Sequence, residues 1–194
     1  MKKLLLSVIL IVFLLAGCSP HHPQVVIKTE KGDIVVELYP DKAPVTVANF
    51  LRYVKENRFK GATFYRTVTM DNQPDNDIKI EVIQGGLYDD NHPQALPPIK
   101  HETTEMTGIL HKDGVISMAR NEPGTATGEF FICIGDQPSL DYGGKRNPDG
   151  QGFAAFGKVI KGMDVVHKIQ QSPAEGQWLK PRIKIMDVEL IILP

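Results

Sequence analysis

The sequence predicts a mainly β domain, a closed eight-stranded antiparallel β-barrel capped by two α-helices. Two observations predict this fold: about eight short apolar runs have strand character, and only two segments have helical spacing. A third observation is that loops rich in glycine and proline separate the runs. Strands at this density favour closure, because a closed barrel leaves no exposed edge.

The predicted elements follow one another without repeats or low-complexity tracts. Alternation at Val25 and Ile27, and again from Ile34 to Leu38, indicates a hairpin at the start of the domain. Apolar residues at helical spacing predict helices over 44–57 and 161–170. Further strands are predicted at 63–68, 78–83, 115–118, 129–134, 154–159 and 183–193.

Size and charge limit the classes of function. A chain of 194 residues with 42% apolar content is long enough for one core, so one domain, and a monomer, is expected. The formal charge is −1, and without Lys2 and Lys3 it is −3, from 20 basic against 23 acidic residues. This balance does not indicate a nucleic-acid partner. The two cysteines and the scattered histidines have no metal-ligand spacing, so no metal or other cofactor is expected.

The N-terminus has the pattern of an export signal. Lys2 and Lys3 precede an apolar run over 4–16, and small residues follow it at once. The run is shorter than the roughly 20 residues that span a bilayer, so a lasting transmembrane helix is not expected.

The sequence Leu-Ala-Gly-Cys at 15–18 resembles the lipobox of bacterial lipoproteins. The resemblance implies cleavage before Cys18 and acylation of its thiol. The predicted division is therefore a signal peptide over 1–17, a lipidated cysteine and tether over 18–24, and one domain over 25–194. The alternative is an ordinary secretory leader with a chance cysteine. On the first interpretation the protein is exported and lipid-anchored to a bacterial cell membrane, on its periplasmic or outer-surface side.

Three ordered blocks carry a second resemblance. They are KGATFYR at 60–66 with IQGG at 83–86, GVISMAR at 114–120 with GEFFI at 128–132, and FGKVIKGM at 156–163. Together they resemble the cyclophilins, a family of prolyl cis/trans isomerases. The resemblance extends over essentially the whole predicted domain and implies the same barrel with two helices. The expected partners are polypeptides that contain X-Pro bonds.

The resemblance also implies the site. Arg66 and Gln84 are the expected catalytic pair, with Arg66 donating to the prolyl nitrogen and Gln84 orienting Arg66 and binding the substrate backbone. A guanidinium suits this task because its charge is fixed and its donors form a rigid fork. The expected substrate-binding residues are Val82, Ala119, Arg120, Glu129, Phe131, Leu140 and Phe153. Of these, Ala119 and the backbone of Arg120 are expected to contact the residues before proline.

Some positions depart from the family pattern. Glu81 stands where many members have a pocket phenylalanine, and residues 69–77 form an insertion. Strand alternation places Ile80, Val82 and Gln84 on one face and turns Glu81 to the other. Ile80 is therefore a candidate for the part of the pocket wall that the phenylalanine forms in other members.

Other departures concern the rim of the predicted groove. Glu129 replaces a common glutamine and is expected to pair with Arg66, while Phe153 keeps an aromatic wall. Ser139 replaces a tryptophan and indicates weak binding of cyclosporin. Trp178 is expected to pack or to anchor a loop.

The leading hypothesis is a prolyl isomerase that assists the folding of exported proteins. An alternative is a non-catalytic peptide-binding or chaperone module on the same barrel, and a third is a carrier of a small ligand. An assay of catalysis separates the first two. The carrier would need an open interior, whereas a small barrel is filled by side chains.

Overall fold

In a computed structural model, residues 22–89 and 91–192 are described, and they form nine strands, three α-helices and one 3₁₀ helix. The strands are β1 Gln24–Thr29, β2 Gly32–Leu38, β3 Thr63–Val68, β4 Val82–Gly86, β5 Val115–Met118, β6 Phe130–Cys133, β7 Ala154–Lys161, β8 Ala174–Glu175 and β9 Trp178–Ile191. The helices are α1 Pro44–Lys55, α2 Thr104–Thr107 and α3 Met163–Gln170, with the 3₁₀ turn at Pro138–Leu140.

Eight of these strands close into a barrel. The hydrogen-bonded order is β1-β2-β7-β5-β6-β4-β3-β9, and β1 pairs with β9 to complete the ring. Every pairing is antiparallel. The two-residue β8 pairs only with the start of β9 and is not part of the ring, so the predicted eight-stranded antiparallel barrel is confirmed.

The two predicted helices are α1 and α3, and the sequence missed the single turn of α2. The first helix ends two residues earlier than expected, because Glu56 caps it and Asn57 takes a positive φ of 53°. The fourth strand also begins later than predicted, at Val82 rather than at position 78. The last strand is longer and begins at Trp178.

Aromatic rings fill the barrel interior. Phe64, Phe130 and Phe156 are fully buried, and each belongs to a different strand. The ring of Phe50 on α1 lies 5.7 Å from that of Phe130 and 5.1 Å from that of Phe156, so this helix seals the core. An interior filled in this way leaves the outer face of the barrel to bind partners.

A β-bulge in β3 decides where Arg66 points. Phe64 pairs with Gly85 and Arg66 pairs with Gln84, which leaves Tyr65 as an extra residue in the ladder. Without the bulge, Phe64 and Arg66 would share a face, because residues two apart in a strand point the same way. The extra residue lets Phe64 enter the core while Arg66 lies on the outer face.

Residues 1–21 lie outside the described part of the chain, and with them the predicted lipidation of Cys18. Among the described helices, none has the length and apolar content required to cross a bilayer. Cys133 is a buried free thiol.

Candidate active site

A cavity of about 300 Å³ opens on the outer face of the barrel. Eight of the residues that the sequence analysis assigned to the site line it: Arg66, Val82, Gln84, Ala119, Arg120, Phe131, Leu140 and Phe153. It is also lined by residues that received no role or only a provisional one: Ile80, Asn121, Arg146 and Asn147. Glu129 lies in an adjoining depression that shares Gln84, Ala119 and Arg120 with the cavity.

The floor of the cavity is apolar. Val82, Phe131 and Leu140 are at most 4% exposed and belong to a small hydrophobic cluster separate from the main core. The ring of Phe153 stands edge-on to that of Phe131, with centroids 5.3 Å apart at 88°. These side chains form a slot whose walls offer no hydrogen bonds, and we call it the apolar slot.

The insertion completes this slot instead of disturbing it. Gln73 is 1% exposed, and its amide nitrogen donates to the carbonyl of Ile80 at 2.8 Å, while Ile80 N–H donates back to its oxygen at 3.3 Å. This pairing fixes Ile80 in the cavity wall. The Glu81 carboxylate lies outside the cavity and accepts a hydrogen bond from Gln170 at 3.2 Å.

Two neutral amides hold the Arg66 guanidinium. Its Nη1 donates to Gln84 Oε1 at 2.9 Å, and its Nε and Nη2 donate to Gln177 Oε1 at 2.9 and 2.6 Å. A guanidinium has five N–H donors, so two remain without a described protein partner, one on each terminal nitrogen. Arg66 itself lines the cavity that contains the apolar slot, so these two donors belong to a side chain at the site.

The expected pairing of Glu129 with Arg66 is wrong. Glu129 Oε2 accepts from the Tyr65 hydroxyl at 2.6 Å, and Oε1 accepts from the Tyr88 N–H at 2.9 Å. The carboxylate reaches Arg66 only through a relay, since the amide of Gln84 donates to the Tyr65 oxygen at 2.8 Å and accepts from Arg66. Among the described residues, the structure gives Arg66 no ion pair with a carboxylate.

Glycine makes room for the relay. Gly86 has φ of 142°, a backbone conformation that disfavours side chains, and a Cβ there would come within 2.6 Å of the Glu129 carboxylate oxygens. Burial, and secondly the charge of Glu129, raises the pKa of Tyr65 far above its ordinary value. The Tyr65 hydroxyl therefore stays protonated and fixes the direction of the relay.

Gln177 is a partner of Arg66 that the sequence analysis missed. Its amide nitrogen donates to the carbonyl of Asn72 in the insertion at 3.0 Å, which turns the amide oxygen towards Arg66. Asn72 in turn donates to the carbonyls of Thr67 and Gly176. Gln177 lies 111 residues after Arg66, and no periodicity in the sequence connects the two.

The cavity is strongly cationic. Burial, followed by the nearby charge of Arg146, lowers the pKa of Arg66 from its ordinary value. Arg146 is held at the rim by the side chain of Gln73 at 2.9 Å and the carbonyl of Ile78 at 2.5 Å. The two guanidiniums favour ligands that offer lone pairs.

The Arg120 side chain fixes a neighbouring loop. Its guanidinium forms a bidentate ion pair with Asp149, at 2.7 and 3.0 Å, and donates twice to the carbonyl of Gly152. It also lies 5.2 Å from the centre of the Phe153 ring. These contacts hold the Arg120 side chain against the loop, and Arg120 also lines the cavity.

No group of three or more His, Cys, Asp or Glu within 22–89 and 91–192 is arranged to hold a metal ion. The buried His111 has other partners: its ring bonds Asp141 at 2.7 Å and the Ser117 hydroxyl at 3.0 Å.

Comparisons with known proteins identify the family of the chain. The family model of the cyclophilin-type peptidyl-prolyl cis-trans isomerases matches residues 24–190. The chain is 36% identical over 167 residues to a peptidyl-prolyl cis-trans isomerase of Acinetobacter baylyi, covering 84% of this chain and 80% of that protein. It is 35% identical over 184 residues to peptidyl-prolyl cis-trans isomerase A of Dickeya dadantii, covering 91% and 88%.

Among solved structures, a cyclophilin of Cryptosporidium parvum crystallised in the presence of the dipeptide Ala-Pro has a similar fold. The TM-score is 0.70 at 21% identity, over 88% of this chain and 99% of that one. The chain therefore belongs to the cyclophilin-type peptidyl-prolyl cis-trans isomerase family. As a member of this family it is a peptidyl-prolyl cis-trans isomerase, and its substrates are polypeptides that contain proline.

Proposed function

We propose that Arg66 is the catalytic residue, and that it acts by donating a hydrogen bond to the prolyl nitrogen of the twisted peptide bond. An amide has partial double-bond character, and rotation about it has a barrier of about 20 kcal/mol. In the twisted state the nitrogen loses conjugation and gains a lone pair, which either planar state lacks. A donor that meets this lone pair stabilises the transition state more than the ground states and so accelerates rotation.

The observation that supports this role is the pair of neutral amides on Arg66. A carboxylate partner would offset the positive charge of the guanidinium. Gln84 and Gln177 are neutral, so they fix the position of the guanidinium and its full charge can act on the substrate. The apolar slot takes the proline ring beside it. Gln84 uses one amide N–H on Tyr65, and its second is available to the substrate backbone.

Substitution of Arg66 tests the mechanism. In a soluble form that begins at Ser19, Arg66→Ala should slow catalysed isomerisation of an X-Pro peptide about a hundredfold, the cost of losing one preorganised donor, or about 3 kcal/mol. Arg66→Lys should also be slow, because an ammonium lacks the planar fork. NMR exchange spectroscopy measures the rate, and Arg52→Ala, on the exposed face of α1, is the control.

Equal rates for wild type and Arg66→Ala would contradict the assignment of Arg66. A folded wild type that binds X-Pro peptides without accelerating their isomerisation would instead favour the peptide-binding module.

We further infer that the enzyme acts on exported proteins while held at a membrane by lipid on Cys18. The support is the N-terminal sequence, with its two lysines, its short apolar run and its lipobox-like residues 15–18. Several acyl chains on one residue would anchor the protein firmly, since each buried methylene contributes about 0.8 kcal/mol. X-Pro isomerisation takes tens of seconds without a catalyst, so an enzyme placed where chains emerge would speed their folding.

Detergent partitioning tests the anchor. In a bacterial host, wild type should partition into the detergent phase and carry labelled lipid, whereas Cys18→Ala should incorporate no lipid and remain uncut or be released. Cys133→Ala is the matched control and should behave as wild type. If wild type and Cys18→Ala both partition into water, there is no anchor.

A further inference from the structure

An exposed aromatic cluster lies next to the active site, and of its three rings only that of Tyr65 belongs to the hydrogen-bonded relay described above. Tyr88 and Trp178 are 47% and 49% exposed, although both rings pack against the nearly buried Tyr65. The three ring centroids lie 5.0 to 6.3 Å apart. We call these three rings the aromatic platform.

The platform continues the active site. With Arg66, Gln84 and Asp89 its three rings line one depression, so the catalytic arginine forms part of its wall. Tyr65, Gln84 and Tyr88 also line the depression that contains Ala119, Arg120 and Glu129. A peptide that places proline in the apolar slot can therefore reach the platform along a continuous surface.

Tyr88 is held in an unfavourable conformation at this position. Its φ is 72°, in the left-handed region that a bulky side chain rarely occupies. Two contacts hold the residue in place: the backbone N–H donates to Glu129, and the guanidinium of Arg182 lies over one face of the ring, 3.6 Å from its centre. Such strain persists where the surroundings over-determine it, and it is concentrated at ligand sites.

We propose that the aromatic platform is a subsite for an aromatic or large aliphatic side chain of the substrate, located on the amino-terminal side of the proline. This extends the isomerase activity and depends on it. The direction follows from the shared residues. Ala119 and Arg120, which are expected to contact the residues before proline, line a depression that also contains two of the platform rings, those of Tyr65 and Tyr88. Edge-to-face packing on Tyr88 and Trp178 would recognise such a side chain.

The preference suits an enzyme that acts on unfolded chains. A proline flanked by large apolar residues belongs to a segment that will be buried once the protein has folded. In the unfolded chain that side chain is exposed and can lie on the platform. The subsite would therefore select prolines in unfolded segments over prolines in surface turns flanked by polar residues.

Peptide binding tests the subsite in the full-length protein in detergent micelles. The peptides are an alanine-rich sequence with one proline, and three versions with Phe two, three or four residues before that proline. One Phe position should bind about threefold to tenfold more tightly than the alanine peptide, the size of one aromatic pair. Trp178 is the only tryptophan in the chain, so its fluorescence should shift with this peptide in particular.

Two substitutions and one control complete the test. Tyr88→Asn removes the ring but tolerates the positive φ, and it should remove most of the Phe preference in calorimetric titration. Trp178→Phe keeps an aromatic ring at this position and should retain part of the Phe preference. Met186→Ala, an exposed apolar residue of the same strand outside both depressions, should keep the full preference.

The outcomes are distinguishable. If no Phe position strengthens binding, or if the preference survives Tyr88→Asn, the platform only packs and the subsite is refuted. Isomerisation of the alanine peptide, measured in parallel, reports on the catalytic proposal alone. If the enzyme accelerates isomerisation of the alanine peptide but shows no preference for Phe, the subsite is refuted and the proposed catalytic role of Arg66 is unaffected.

Discussion

Phe130 and Phe131 are neighbours in β6, and both are buried, but Phe130 belongs to the core of the barrel and Phe131 to the lining of the cavity. Phe130 is fully buried and packs edge-on against the rings of Phe50, Phe59 and Phe64, 5.7 to 5.8 Å away. Phe131 is 4% exposed and packs against Phe153 on one side, while another side faces the cavity. Burial alone therefore does not separate core from site. What separates them is whether a protein partner covers every face of the ring.

The same contrast holds for the whole barrel wall. Its inner face is covered by interlocking apolar side chains, whereas its outer face at β3, β4 and β6 pairs an apolar slot with a buried polar relay. In that part of the molecule every buried side-chain nitrogen and oxygen described has a hydrogen-bond partner. A fully satisfied network of this kind is rigid, and rigidity is what positions Arg66.

The largest expected effect is on stability, from the inner of the two phenylalanines. Phe130→Ala should lower the free energy of unfolding by about 3–5 kcal/mol, since it removes a ring enclosed on all sides. Phe131→Ala should cost less stability, because part of its surroundings is already a cavity, but it should abolish tight peptide binding. Denaturant unfolding and peptide titration of both variants decide this. Equal losses of stability would remove the distinction between the two faces.

The second prediction concerns neighbours in the wall of the slot. Val82→Asp places a carboxylate in the apolar slot, where it costs free energy to bury, and peptide binding should fall below detection. Glu81→Ala changes a side chain outside the cavity and should alter affinity by less than about 0.5 kcal/mol.

NMR titration compares the two, and Val82→Ala controls for the loss of the valine itself. A greater loss of binding from Glu81→Ala than from Val82→Asp would mean that the two faces of this segment are exchanged.

Alternation along the strands was enough to predict these faces. It placed Ile80, Val82 and Gln84 on one side and Glu81 on the other, as the structure has them. The position of Arg66 did not follow from alternation, because a regular strand would put it beside Phe64 on the inner face. Only the resemblance indicated that Arg66 belongs to the site, and the bulge at Tyr65 gives the physical reason.

The hydrogen-bond partners of Arg66 could not be predicted from the sequence, for a different reason. The charge of Glu129 suggested a direct ion pair, but backbone and hydroxyl donors from Tyr88 and Tyr65 take up the carboxylate first. Gln177 lies close to Arg66 only because β9, which begins at the next residue, pairs with β3 although the two strands are far apart in the sequence. Contacts of such sequence separation leave no local pattern.

Substitution of Gln177 should have a smaller effect than substitution of Phe130, Phe131 or Val82, but a more informative one. The Gln177→Leu substitution removes the acceptor of two of the three hydrogen bonds that hold Arg66, so the guanidinium should sample other rotamers. We expect kcat to fall about tenfold, the net worth of a hydrogen bond to a charged group, while KM changes little because the apolar slot is intact. The same change at exposed Gln171, at the end of α3, is the control.

Gln177→Glu separates position from charge. A carboxylate can accept both hydrogen bonds and hold the Arg66 fork, but it also offsets the positive charge that neutral amides leave to the substrate. If charge matters, Gln177→Glu should lower kcat although the guanidinium stays ordered in NMR spectra of its Nε–H. If position alone matters, Gln177→Glu should keep wild-type kcat while Gln177→Leu loses it. Wild-type kcat in both variants would show that Gln84 alone positions Arg66 and that the contact with the β8–β9 turn is dispensable.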